Sequence, residues 1–122
     1  MGLILIDSSI WIDHLRRPDP TLILLIAEDR VLQHQFVTAE LALGSLANRA
    51  SFLAILGCMR QAEAAPHAQL LAFITDRDIH GTGIGVIDAH LLLSAILYTA
   101  QVWTRDRRLQ EQAQRLHVSW PQ

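Results

Sequence analysis

The feature that most constrains the fold is a short apolar run, Leu3–Ile6, which ends on the carboxylate of Asp7. The run is too short to span a membrane and has the length of a buried strand. A strand that is apolar at every position is typical of a parallel sheet covered by helices on both faces. Asp7 is then expected at the carboxyl end of that strand, where open α/β sheets bind their ligands. The alternative, that Asp7 only caps the next helix, remains open at this point.

Composition limits the classes of protein that the chain can belong to. The 122 residues are 51% hydrophobic and 18% charged, which predicts a globular protein, and we expect one domain over residues 1–122. The formal net charge is -2, so no global basic field attracts nucleic acid, and any such contact must use a local patch.

Cysteine and lysine usage narrows the chemistry further. Cys58 is the single cysteine, which excludes an internal disulfide and favours a reducing compartment. All ten positive residues are arginine, and the absence of lysine excludes P-loop ATPases and Schiff-base enzymes. No basic region precedes the first apolar run, and the longest uncharged stretch, 89–104, is shorter than a membrane span. We therefore expect a cytoplasmic protein without a membrane partner.

Hydrophobic periodicity predicts strands that alternate with helices. The predicted helices cover 8–16, 21–29, 38–46, 49–61, 68–79, 86–98 and 107–116, and the predicted strands cover 3–6, 31–36 and 101–104, with a possible edge strand at 118–120. This alternation indicates an α/β fold with a central, mainly parallel sheet of about four to five strands. The glycine-rich stretch 81–85 reads as a turn that lets the next helix approach the acids.

Four carboxylates stand in unusually apolar surroundings: Asp7, Glu40, Asp88 and Asp106. Asp7 and Asp106 follow predicted strands, whereas Glu40 and Asp88 fall in the first turns of predicted apolar helices. In a parallel sheet each helix starts where its strand stops, so all four are expected at one edge.

Such convergence requires a neutralising partner. Two like charges ~4 Å apart repel by roughly 4 kcal/mol at an effective dielectric constant near 20. Each acid alone could be a helix cap, a dipole partner or one half of an ion pair. The four together favour a divalent cation, and carboxylates without patterned Cys or His favour Mg²⁺ or Mn²⁺. A site of this kind suits phosphodiester hydrolysis by metal-activated water.

Four motifs in order give the chain a family resemblance. It resembles the PIN-domain ribonucleases, and specifically the VapC toxins of type II toxin–antitoxin systems, in Ile6–Ile12, Thr38–Leu41, Gly83–Leu92 and Trp103–Leu109. The resemblance implies a PIN-like α/β/α sandwich and a metal-dependent endoribonuclease. It also implies that the four acids are catalytic and bind the metal.

The resemblance further implies polar helpers and partners. Ser8 or Ser9 and Thr104 would lie near the acids and could contact substrate. The expected partners are RNA, a cognate VapB-like antitoxin and a second copy in a homodimer. Some relatives carry another acid shortly after the last one, whereas Arg107 and Arg108 follow Asp106 here. With Arg105, these arginines are candidates for contacts to RNA phosphates.

Two other classes compete with this interpretation. One is a catalytically silent PIN-like module that binds protein or RNA. The presence of all four acids argues against this loss of activity. The other is a haloacid dehalogenase-like or response-regulator-like domain, which needs a lysine that this chain lacks. The six histidines form no zinc motif and are interpreted as structural or surface residues, with His90 the best candidate for an exception.

Overall fold

The computed structural model describes residues 2–121, so Met1 and Gln122 of the predicted 1–122 domain lie outside the described residues. Its elements are β1 (Leu3–Ile6), α1 (Ser8–Arg16), α2 (Pro20–Ala27), β2 (Val31–His34), α3 (Gln35–Ala42), α4 (Arg49–Gly57), β3 (Arg60–Ala62), α5 (His67–Asp76), α6 (Val86–Leu97), β4 (Ala100–Trp103) and α7 (Arg107–Arg115).

A four-stranded parallel sheet lies at the centre of the fold, with the strand order β3-β2-β1-β4. β1 is an inner strand and pairs with β2 on one side and β4 on the other. Ile4, Leu5 and Ile6 of β1 have no exposed surface, as expected for an inner strand covered on both faces. The predicted α/β class and the parallel sheet are confirmed.

Helix α6 crosses the core. Its residues Ala89–Ala95 are all buried, as expected for a helix that is apolar on nearly every side. Trp11 and Trp103 are buried as well, and Trp11 Nε1 donates to Gln33 Oε1 at 3.1 Å. Over residues 2–121 the helices are too short or too polar for any of them to cross a bilayer.

The start of α3 differs from the prediction. The strand 31–36 ends two residues early at His34, and the helix begins at Gln35 instead of Thr38. His34 provides the cap, because its Nδ1 accepts a hydrogen bond from the backbone N–H of Phe36 at 3.0 Å. Glu40 is therefore not in the first turn of α3, and its position cannot be explained by the helix dipole.

The segment 49–61 also differs from the predicted single helix. It contains α4, which ends at Gly57, and the short edge strand β3, which the sequence analysis missed. Arg60 and Gln61 are exposed and only Ala62 is buried, so β3 has no apolar pattern. The predicted strand 118–120 forms only an isolated bridge, between Ser119 and Val102.

Candidate active site

Asp7 lies at the carboxyl end of β1 and is 95% buried, since 5% of its surface is exposed. It occupies the N-cap position of α1, yet its side chain makes no capping hydrogen bond. Instead its Oδ2 accepts hydrogen bonds from Ser9 Oγ and Thr104 Oγ1, both at 2.7 Å. A buried carboxylate held by two hydroxyls is not acting as a cap, so the interpretation of Asp7 as a site residue is favoured.

Ser9 and Thr104 tie the ends of β1 and β4 together. Thr104 Oγ1 accepts from the backbone N–H of Asp106 at 2.9 Å, and Ser9 Oγ accepts from that of Arg105 at 3.0 Å. Each hydroxyl thus donates to Asp7 and accepts from the loop that follows β4. These contacts orient Asp7 relative to Asp106, which makes the two hydroxyls positioning groups for the acids.

Asp88 lies in the first turn of α6 and is half-buried. Its pKa is raised from 3.8 to about 7, first by burial and then by the negative charges of the other three acids. Screening by salt limits such an effect to charges within about a Debye length, ~10 Å, of Asp88. The fold therefore brings together all four acids that the sequence singled out.

Glu40 reaches the same cluster from α3. Its pKa is raised by partial burial and by the charge of Asp7, while a hydrogen bond from Ser8 opposes the rise. Glu40 is exposed as a whole residue, so solvent screens this coupling more than that of Asp88. Ser8 is thus placed at Glu40, whereas Ser9 is placed at Asp7.

Asp106 is an exposed residue with a second role. It is the N-cap of α7, and its Oδ1 accepts from the backbone N–H of Leu109 at 3.0 Å. This is the capping role that the sequence analysis considered for single acids. Because Asp106 also contributes to the raised pKa of Asp88, it both caps α7 and belongs to the acidic cluster.

The three arginines after β4 have structural contacts. Arg105 forms ion pairs with Asp13 at 3.0 Å and Asp19 at 3.5 Å, which connect the end of β4 to α1 and the start of α2. Arg107 pairs with Glu111 at 3.1 Å, and Arg108 donates to the carbonyl oxygen of Gly83 at 3.3 Å. The pair of Arg107 and Glu111 is a local i,i+4 pair on α7, whereas the contacts of Arg105 and Arg108 join distant segments and depend on the tertiary fold. Their predicted contacts to RNA phosphates stay a prediction.

The donor set of the cluster fits a hard divalent cation. Its donors are carboxylate oxygens, with two hydroxyls beside them, and the mutual repulsion that raises the pKa of Asp88 is what a cation would relieve. Among residues 2–121, no three Asp, Glu, His or Cys side chains lie close enough together to hold an ion by themselves. Mg²⁺ is usually bound by one or two carboxylates and retains several waters, so the arrangement accommodates it.

The repulsion in the cluster predicts a stabilising substitution. Because the pKa of Asp88 is higher in the folded protein than in the unfolded chain, protonation of Asp88 stabilises the fold. This contribution is complete below the unfolded pKa of 3.8 and is lost as the pH rises through about 7. Asp88→Asn removes the ionised group. Discounted for the partial exposure of Asp88, the gain above pH 7 is on the order of 1–2 kcal/mol, and Tm should rise by roughly 3–8 °C.

The measurement is thermal unfolding in EDTA at pH 5 and pH 8. The difference between Asp88→Asn and the wild type should be larger at pH 8, whereas Asp76→Asn, at the exposed end of α5, should show no such pH dependence. A lower Tm for Asp88→Asn at pH 8 would show that Asp88 stabilises the fold through its charge.

Comparison with known proteins agrees with this fold. Ribonuclease VapC32 of Mycobacterium tuberculosis, from strains CDC 1551 / Oshkosh and ATCC 25618 / H37Rv, is 41% identical over 108 residues, which cover 88% of this chain and 87% of the relative. The crystal structure of PAE2754 from Pyrobaculum aerophilum superposes with a TM-score of 0.65 at 16% identity, covering 95% of this chain and 96% of that one. No protein-family model matches the chain.

Fold and site together define an α/β/α protein of the PIN-like class, with acids gathered at the carboxyl edge of a parallel sheet. At this level of identity over most of its length, the chain belongs to the VapC family of ribonucleases. The family and fold predicted from the sequence are confirmed.

Proposed function

We propose that this protein is a metal-dependent endoribonuclease, the toxin of a type II toxin–antitoxin module, and that it hydrolyses RNA phosphodiesters by metal-activated water. The observation that carries the proposal is the convergence of Asp7, Glu40, Asp88 and Asp106, seen in the raised pKa of Asp88. The names of the curated relatives, which are ribonucleases of the VapC type, support the substrate and the reaction.

Mg²⁺ or Mn²⁺ would be held by Asp7 and Asp88, with Glu40 and Asp106 contributing through bound waters and through their negative charge. When bound, the ion supplies positive charge that neutralises the acids, polarises a phosphate and activates water. The chain's own residues fix the acids. Ser9 and Thr104 leave Asp7 Oδ1 free of the two hydroxyls, because both donate to Oδ2.

The protonation state of Asp88 should depend on whether a cation is bound. With a pKa of about 7, Asp88 is protonated in a substantial fraction of molecules near neutral pH. A divalent cation competes with that proton, so metal binding should release protons and should strengthen as the pH rises. A catalytically silent module would have no need to keep four repelling acids at one edge.

The antitoxin is proposed to occupy a groove between α1 and α3, together with the segment that follows α3. The groove has a volume of about 430 Å³ and is lined by Ile12, Leu15, Leu41 and Leu46, with Glu40 at the same surface. Ile12 and Leu15 are 43% and 45% exposed, which is unusual for such large apolar side chains clustered in one place.

Glu40 makes this groove continuous with the acidic cluster. A VapB-like segment with an apolar helix in the groove could therefore place an Arg or Lys against Glu40 and Asp88, where negative charge is concentrated. Such a partner would displace the metal and exclude RNA together. A homodimer that uses apolar surface of the same region would compete with it.

The experiment that tests the proposed reaction is incubation of the purified protein with total RNA and Mg²⁺ or Mn²⁺, followed by sequencing of the new ends. Reproducible cleavage at a small number of positions is the expected result, because an endonuclease that recognises its substrate cuts at defined sites. Absence of any new end in either metal would contradict the proposal.

A further inference from the structure

The start of α6, which carries Asp88, lacks a side-chain cap. Its N-cap residue is Gly85, which has no side chain to accept from the free backbone N–H groups. Gly81 and Gly83, in the preceding turn, have φ values of 74° and 85°, which other residues rarely adopt. Contacts further along α6 must therefore fix the direction in which Asp88 points.

A cluster of three rings provides such a contact. His90, two residues after Asp88, packs edge-to-face against Phe36, with ring centroids 4.9 Å apart and an interplanar angle of 87°. The ring of His34 lies 6.0 Å from that of His90 and 5.2 Å from that of Phe36. His34 is the last residue of β2 and the cap of α3, so it belongs to the rigid edge of the sheet.

The hydrogen bonds of His34 determine where its proton lies. Burial, and secondarily the neighbouring His90, lower the pKa of His34 to about 4, so the ring is neutral near pH 7. Its Nδ1 accepts a hydrogen bond from Phe36 and therefore carries a lone pair. A neutral imidazole has one N–H, which must then be on Nε2.

Two buried ring nitrogens in this cluster lack partners. Within the part of the chain that the structure describes, neither His34 Nε2 nor His90 Nδ1 has a hydrogen-bond partner, and both atoms are buried. A buried donor left without an acceptor costs about 1–3 kcal/mol, so such atoms are normally satisfied. The protonated Nε2 of His34 is also unable to ligate a metal, which argues against a histidine metal site here.

We propose that one buried water accepts from His34 Nε2–H and donates to His90 Nδ1, and that this link positions the first turn of α6 so that Asp88 faces the other acids. His90 is then a positioning residue with its own proton on Nε2. The link joins the sheet edge to the helix that carries Asp88, two residues away. Its catalytic consequence rests on the proposed function, whereas the link itself does not.

Two substitutions of His90 separate the hydrogen bond from the packing. His90→Asn keeps an acceptor at the position of Nδ1, whereas His90→Leu keeps apolar bulk and removes the acceptor. We expect His90→Leu to lower kcat about 10- to 100-fold with little change in KM, the range seen when groups that orient metal ligands are lost. His90→Asn should retain activity within a few-fold of the wild type, and Mn²⁺ affinity should follow the same order.

The direct test is ¹⁵N NMR of the histidine side chains of the metal-free protein at pH 7. Both His34 and His90 should be Nε2–H tautomers, and the signal of His34 Nε2–H should move in His90→Leu. A proton on His90 Nδ1 would leave that atom unable to accept a hydrogen bond and would overturn the proposal. Equal activity, or equal loss of activity, in the Leu and Asn variants would also overturn it, provided that both unfold at similar temperatures.

If the wild type cleaves no RNA, the proposed function fails, and the tautomers and the Mn²⁺ affinities still decide the link and its positioning effect.

Discussion

Asp7→Asn and Asp88→Asn should each reduce RNA cleavage by more than about 100-fold, since losing a ligand should cost at least as much as losing a group that orients one. Asn has the size of Asp and lacks the charge, so it weakens the hold on a cation without opening a cavity. The hydroxyls of Ser9 and Thr104 can still donate to an amide oxygen at position 7. The folds should therefore survive.

The measurement is the initial rate of cleavage of one RNA substrate at saturating Mn²⁺, with far-UV circular dichroism to verify folding. Asp76→Asn is the matched control, because it also removes one carboxylate and lies on the exposed end of α5. Cleavage by Asp88→Asn at the wild-type rate would show that Asp88 takes no part in the reaction.

Binding of the proposed antitoxin is expected to inhibit RNA cleavage strongly. Co-expression with the proposed VapB-like antitoxin should yield a complex in which RNA cleavage falls more than about 100-fold, because the partner would cover the acids and displace the metal together. A charge in the middle of the groove should prevent the apolar docking. Leu15→Glu is therefore expected to abolish co-purification and to leave cleavage by the free protein within a few-fold of the wild type.

Leu71→Glu is the control for this effect. Leu71 is 51% exposed, close to the 45% of Leu15, but it lies on α5 outside the groove. It should not affect co-purification, and light scattering of the free protein would report any change in self-association. If the two proteins do not associate, or associate without loss of cleavage, the toxin–antitoxin proposal fails even if the nuclease proposal stands.

Most of the architecture was predictable because its strands carry strong local signals. Leu3–Ile6 is apolar at every position, which predicts a buried strand. The segment Ala89–Ala95 is mostly apolar and forms the buried part of α6, so its burial could also be predicted from the sequence. β3 was missed because it is an edge strand of three residues with two of them exposed. The start of α3 was misplaced because the cap is His34, which is not among the favoured capping residues.

The acidic residues of the site could be predicted from the sequence, whereas the contacts of their neighbours could not. Acids that follow apolar strands can be recognised in the sequence, because parallel strands place their carboxyl ends at one edge. The roles of Ser8 and Ser9 could not be separated, since one faces Glu40 and the other Asp7 only after α1 has formed. The pairing of Arg105 with Asp13 and Asp19 depends on tertiary contacts that no local pattern encodes.

If the four acids cleave RNA through a divalent cation, cleavage must disappear when the cation is removed and return when it is restored. Cleavage is assayed after treatment with EDTA and again after addition of excess Mn²⁺, and the chemistry of the new ends is determined. We expect no cleavage in EDTA, recovery with Mn²⁺, and 5′-phosphate with 3′-hydroxyl ends, since water is the attacking group. Undiminished cleavage in EDTA, or 2′,3′-cyclic phosphate ends, would contradict this expectation.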